Sequence, residues 1–252
     1  IIKRMPIVGN LLYRIYLRLL YNDGKVINIT NGYLKGLKLH QYVRTFNVKY
    51  VDGSYERDLQ DALVRELRPG HIFFDIGANG GIFSLLARQR VGTNGKVISF
   101  EPHPETARQM NKQFTLNAMN NCHVVVAAVT DKCGTAEFTN DRSADMLSLA
   151  QLRSDKPMFT FSVKTTTLDV EVDKWGVPNV IKIDVEGAEL MVLYGADRIL
   201  SDHCPVLFVE LHSESLSNLY HSFISQYGYK TYNLFGELVQ KGQYERFVLS
   251  KK

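Results

Sequence analysis

From residue 71 onward, short apolar runs alternate with amphipathic stretches, and this alternation limits the fold more than any other feature of the 252-residue chain. "HIFFDI" is followed by "GIFSLLARQR", "KVISFE" by "PETARQMNKQFTLNAM", "VIKID" by "AELMVLYGADRIL" and "VLFVEL" by "SESLSNLYHSFISQY", with "HVVVAAV" standing between the second and third pairs. Apolar runs this short, joined by helical patterns, predict strands buried on both faces: an α/β fold with a doubly wound parallel sheet. The chain ends differently. "KTYNLF" and "RFVLS" are separated by a stretch holding Gly236 and Gly242, too short for a helical crossover, so the spacing predicts an antiparallel C-terminal hairpin.

Residues 1–54 read as an accessory segment and 55–252 as the main domain. "GNLLYRIYLRLLYNDG" places Leu11, Leu12, Ile15, Tyr16, Leu19 and Leu20 at helical spacing beside Arg14 and Arg18. Such a helix docks on its own domain or on a second copy in a homo-oligomer, or else lies peripherally in a membrane interface. "KVINIT", "LKGLKLH" and "VRTFNVKYV" then predict two or three short antiparallel strands, and a helix is expected from about Tyr55 to Leu67. The stretch from Asn140 to Thr166 reads as irregular.

Composition excludes several partners. The formal net charge is +4 and basic residues form no block, so nucleic acid is not an expected partner. Cys122, Cys133 and Cys204 are odd in number and lack metal-ligand spacing, which predicts free thiols and a reducing, cytoplasmic setting. No apolar run is long enough to make the protein integral to a membrane.

In open parallel sheets, ligands bind outside the carboxyl ends of the strands, and four polar groupings fall there. In "DIGANGG", Asp75 precedes Gly77, Ala78, Asn79, Gly80 and Gly81, a turn that brings a nucleotide against bare backbone. A dinucleotide GxGxxG loop needs a third glycine where Ile82 stands, and Asp75 suits an ammonium group better than a pyrophosphate. This points to S-adenosylmethionine. Glu101, before Pro102, ends the next strand and can accept both ribose hydroxyl protons. Lys182, Asp184 and Glu186 in "IKIDVEGAEL" share strand parity, as an active-site cluster or as a structural ion pair between the first two. Glu210 and His212 in "FVELH" lie two apart, with His212 a candidate general base of pKa near working pH. Asp184, Glu186 and Glu210 also offer hard oxygen ligands to a divalent metal.

With these residues assembled, the chain resembles the FkbM-type S-adenosylmethionine-dependent methyltransferases, a Rossmann-like class I branch. The likeness rests on "GSYERDLQDAL", "FFDIGANGGIFSLLA", "VISFEPHPET", "AAVTDKCG", "TTTLDVEV" and "VIKIDVEGAELMVLYGA", from about Tyr55 to His212. The resemblance implies a seven-stranded sheet with an antiparallel last strand. It further implies cofactor contacts at Glu56, Asp75, Gly77, Ala78, Asn79, Gly81, Glu101, Pro102 and Asp184, with adenine near His103 and Ala127 to Val129, Ala128 included. Members often carry a larger apolar residue where Gly80 or Gly81 stands, so a looser loop is expected here.

The resulting expectation is an O-methyltransferase acting on a sugar hydroxyl of a glycan, glycolipid or glycosylated natural product. Lys182, Asp184, Glu186 and His212 would orient or deprotonate that hydroxyl. The alternatives are methyl transfer to nitrogen or carbon of a small molecule, or a catalytically silent binding module of the same fold.

Overall fold

The computed structural model describes residues 24–42, 45–140, 147–149 and 159–252; the amphipathic segment at residues 10–23 lies outside them. Two short strands, β1 (Val26–Asn28) and β2 (Lys38–His40), a helical turn at Lys49–Asp52 and α1 (Arg57–Glu66) precede the main sheet. There follow β3 (Ile72–Ile76), α2 (Ile82–Val91), β4 (Lys96–Phe100), α3 (Pro104–Leu116) and β5 (Cys122–Val125). An inserted block holds β6 (Ala128–Val129), β7 (Gly134–Asn140), β8 (Leu147–Leu149) and β9 (Phe159–Thr166). The chain returns through α4 (Leu168–Trp175), β10 (Val180–Ile183), α5 (Glu189–Tyr194), β11 (Val206–Glu210), α6 (Glu214–Ile224), β12 (Lys230–Tyr232) and β13 (Phe247–Lys251).

The main sheet has seven strands in the order β12-β13-β11-β10-β3-β4-β5. The five from β5 to β11 run parallel, while β13 pairs antiparallel with both β11 and β12. The expected hairpin is therefore present, with its second strand inserted against β11. Alternation along β3 sorts side chains into the two layers. Phe73 joins Leu63, Leu85, Leu86 and Met110 on one face, while Phe74 and Ile76 join Ile98, Ile181, Leu207 and Tyr220 on the other. Among the described residues no helix is long and apolar enough to cross a membrane.

Among the described residues two of the N-terminal segments form strands, within the two or three expected; in the third, Asn47 accepts the backbone N–H of Lys49 at the start of the helical turn Lys49–Asp52. Two local expectations are corrected. The stretch expected to be irregular contains β9, which pairs with β7 along seven positions, including Ala136 with Val163 and Phe138 with Phe161. Its partner lies some twenty residues upstream, beyond the reach of local pattern reading. The helix expected through "AELMVLYGADRIL" is interrupted after Tyr194 and helical structure resumes over Ile199–His203; at the break Gly195 packs so tightly that a Cβ there would lie 2.2 Å from the Thr130 carbonyl oxygen.

The β1–β2 pair is not a loose appendage. Ile29, Leu34 and Leu39 belong to the same buried cluster as Leu59 and Leu63. The outer edge of β2 is closed by two amides of α3: Gln113 Oε1 accepts from His40 N–H and its Nε2 donates to His40 C=O, and Asn117 does the same for Lys38. Side-chain amides thus satisfy an edge that would otherwise be open to a foreign strand. Gln113→Ala strands the His40 pair in a half-buried setting, and urea unfolding is expected to show a loss of about 1–3 kcal/mol. An unchanged midpoint would mean that water replaces the amide at no cost.

Candidate active site

Below the carboxyl end of the sheet, one buried cation organises the floor. Lys182 on β10 is in register with Asp75 on β3, and its Nζ lies 3.4 Å from Asp75 Oδ1 and 3.4 Å from Asp184 Oδ2. Its side chain is only 4% exposed, and the Phe83 ring lies 5.2 Å away. Burial opposes the ammonium charge, but Asp75 and then Asp184 outweigh it and hold the pKa above the ordinary lysine value. Ser84 of α2 donates to the other Asp75 oxygen at 2.6 Å and contacts Ser99. Asp75 is therefore fully buried, with Ser84 on Oδ2 and, on Oδ1, the Lys182 ammonium at 3.4 Å but no hydrogen-bond partner.

The turn after β3 is close-packed rather than loose. Gly77 has φ 75°, and a Cβ there would lie 1.8 Å from the Asp184 carbonyl oxygen, so the turn rests directly on the end of β10. Thr45 fills the space beside Gly80, and Met110 lies where a Cβ of Gly81 would project. Gly81 is also the N-cap of α2, while Gly77 and Ala78 donate their N–H groups to the Phe100 carbonyl. Asn79 takes a positive φ and donates its backbone N–H to Glu101 Oε2; His103 N–H donates to Oε1. The Glu101 carboxylate is thus fixed by these two backbone donors at the edge of the cleft.

These residues wall a cleft of roughly 810 Å³ that opens to solvent. Of the residues singled out in the sequence, Gly77, Asn79, Glu101, Pro102, Ala127, Ala128, Val129, Asp184 and Glu186 line it. Asp75, Ala78 and Gly81 support the wall from behind. His103 is not on the wall: its Nδ1 caps α3 by accepting from Thr106 N–H, and its ring meets Phe161 edge-on. Sequence reasoning missed Phe138, Thr130, Thr106 and Ala188 on the lining. Phe138 comes from the inserted sheet, and the only signal for it was the polar–apolar alternation of "GTAEFTN".

Next to Asp184 and Glu186, and itself not on the cleft lining, His212 sits with Glu189 and Glu210 in a carboxylate-rich corner. Its Nε2 lies 3.3 Å from Glu186, 3.5 Å from Glu210 and 3.9 Å from Asp184, while Nδ1 lies 3.0 Å from Glu189. The bond to Glu189 pushes the imidazole pKa up to about 9 against the opposing effect of burial. Burial, then the Asp184 charge, push Glu210 up to about 7, although Arg246 bonds it at 2.6 Å through Nε. Burial followed by Asp184 also raises Glu186 and Glu56. Glu56 stands behind this corner, 3.9 Å from Arg246, and is not on the cleft lining. Asp184, Glu210 and His212 bring one ligand atom each within 4.8 Å of one another, yet the ring itself already answers these carboxylates.

The strand order, with its reversed last strand, and the ligand cleft at the carboxyl ends define a class I methyltransferase fold. The methyltransferase FkbM domain matches residues 75–231, and the chain belongs to that family, with S-adenosylmethionine as cofactor. It is 25% identical to the hexuronic acid methyltransferase AglP of Haloferax volcanii over 187 residues, 73% of this chain and 72% of that one. A 47-residue stretch is 45% identical to the ribosomal RNA large subunit methyltransferase E of Sorangium cellulosum, covering 19% of this chain and 22% of that protein. The crystal structure of the methyltransferase FkbM from Methylobacillus flagellatus KT matches with a TM-score of 0.50 at 16% identity, over 81% of this chain. The match takes in 52% of that protein, so this chain spans about half its length.

Two outcomes test the site. Asp75→Asn removes one partner of a buried ammonium and is expected to cost roughly 3–5 kcal/mol in urea unfolding; an unchanged midpoint would show that Asp184 alone sustains Lys182. Glu101→Ala is expected to weaken binding of S-adenosylhomocysteine about 10- to 100-fold by calorimetry, the loss of a charged hydrogen bond. Unaltered affinity would place the ribose elsewhere.

Proposed function

We propose that this chain methylates a hydroxyl oxygen of a sugar, with His212 as the general base. The observation that carries the reading is the position of His212 Nε2 against Glu186 and Asp184, the two carboxylates that also line the cofactor cleft. The similarity to a protein described as a hexuronic acid methyltransferase supports a carbohydrate acceptor. Bound S-adenosylmethionine supplies an electrophilic methyl group. The chain's own contribution is alignment and removal of one proton.

Glu101 would hold the ribose, and the Gly77–Asn79 turn would approach the rest of the cofactor through backbone. Lys182 would act indirectly by fixing Asp184, since its buried Nζ is engaged by Asp75 and Asp184 and the residue is not on the cleft lining. Asp184 and Glu186 would accept hydrogen bonds from the acceptor's hydroxyls. His212 would take the proton as the oxygen loses it.

A ring with pKa about 9 is protonated at neutral pH and gains base strength only as pH rises. Turnover of a sugar acceptor is therefore expected to climb with pH through about 9. His212→Gln should flatten that rise and reduce kcat about 10²- to 10⁴-fold, with little change in cofactor affinity. A panel of neutral, amino and acidic sugars incubated with methyl-labelled cofactor provides the assay. Product labelled only on nitrogen or carbon would overturn the proposal.

A further inference from the structure

We propose that Glu189 is the positioning residue that sets the tautomer of His212, holding the proton on Nδ1 so that the Nε2 lone pair lies on the side of Asp184 and Glu186. The inference rests on the reading of His212 as a proton acceptor, but its structural content stands apart from that reading. Glu189 begins α5 and is 0% exposed, so its carboxylate has no water to disperse its charge. One oxygen, Oε2, is buried with no hydrogen-bond partner. Oε1 therefore carries the stabilising contacts: Gly187 N–H at 3.0 Å, Val185 N–H at 3.4 Å and His212 Nδ1 at 3.0 Å.

The two backbone donors are neutral, and the imidazole is the ionisable group that meets this carboxylate. Were Nδ1 unprotonated, two lone pairs would confront each other at 3.0 Å in a buried setting. The neutral ring is consequently the Nδ1–H tautomer, and Nε2 is the basic nitrogen. The same oxygen holds the loop from Val185 to Gly187, in which Glu186 takes a φ of 56°. One carboxylate thus ties the imidazole to the segment that forms a wall of the cofactor cleft. The logic is that of a buried acid orienting a histidine base, with the acid never taking the proton.

Other charged groups face the same ring and must be separated from Glu189. Asp184 and Glu186 approach from the segment after β10, and Glu210 from the end of β11. Arg246, ahead of β13, reaches the ring's surroundings through Glu210, and Glu56 and Lys182 stand behind Arg246 and Asp184. Glu186 and Glu210 would equally confront a bare Nε2, but Glu186 is partly exposed to water and Glu210 is held by Arg246, whereas Glu189 is fully buried with its second oxygen unpartnered, so the single proton of the neutral ring serves Glu189 first. Only Glu189 addresses Nδ1.

The test is nitrogen NMR on full chain carrying ¹⁵N-labelled histidine, with the His212 signals assigned by their loss in His212→Gln. Above the ring's transition the wild type is expected to show a protonated Nδ1 and a bare Nε2; the reverse pattern would overturn the proposal with no need of a variant. Glu189→Gln should lower the His212 transition by about 1–3 pH units and shift the kcat profile with it, whereas a merely structural residue would leave both in place. Titration with S-adenosylhomocysteine reports whether that variant is folded. If His212→Gln retains full turnover while the wild-type tautomer is as expected, the base reading fails and the positioning of the ring by Glu189 stands.

Discussion

The buried ammonium of Lys182 is the contact on which the carboxyl end of the sheet depends. It joins Asp75 of β3 to Asp184 beyond β10, the two central neighbours of the seven-stranded sheet. Taking three charges out of water is costly unless each is answered, and here the answer includes Ser84 on the far oxygen of Asp75. The arrangement fixes Asp184 at the cleft edge, and the Asp184 carbonyl in turn leaves no room for a side chain on Gly77. The glycine turn and the acid cluster are thus one mechanical unit, although more than a hundred residues separate them in the chain.

That coupling explains which parts of the site were legible in sequence. The alternation of apolar runs with helical patterns foretold the parallel strands, because burial on both faces leaves a local imprint. Glu101, Asp184 and Glu186 were legible because strand ends place them at the cleft whatever the loops do. The pairing of Asp75 with Lys182 was not legible, since the cation lies on another strand and pattern alone does not give register. Phe138 and the β7–β9 pairing escaped for the same reason: their mutual burial is non-local, and each strand by itself is rich in polar residues. Glu189 was passed over within a recognised motif because nothing in its spacing reveals the imidazole 3.0 Å away.

The backbone carries its own record of function. Of the five non-glycine residues at positive φ among the described residues, Glu56, Asn79 and Glu186 lie at the cleft or at the corner beside it, while Ala118 and Cys204 are not on the cleft lining. Such conformations persist only where surrounding contacts overdetermine them. For Asn79 the determinant is the carboxylate of Glu101, which receives its N–H; for Glu186 it is Glu189, which grips the residues on either side. In both places a carboxylate bends the chain to its own hydrogen-bonding needs and in doing so shapes the wall of the cleft.

The two ends of the cleft therefore differ in electrostatic character. At the Glu101 end, one acid is met by the neutral backbone donors of Asn79 and His103. At the His212 end, Asp184, Glu186, Glu189 and Glu210 surround one ring, with Arg246 committed to Glu210 and Lys182 committed to the floor. An anionic group entering this corner would meet carboxylates whose neighbouring cations are already engaged. A hydroxyl-bearing acceptor meets hydrogen-bond acceptors and a histidine. The same crowding that raises the pKa of the ring, with Glu189 as its largest source, also makes it a stronger base once its proton has left.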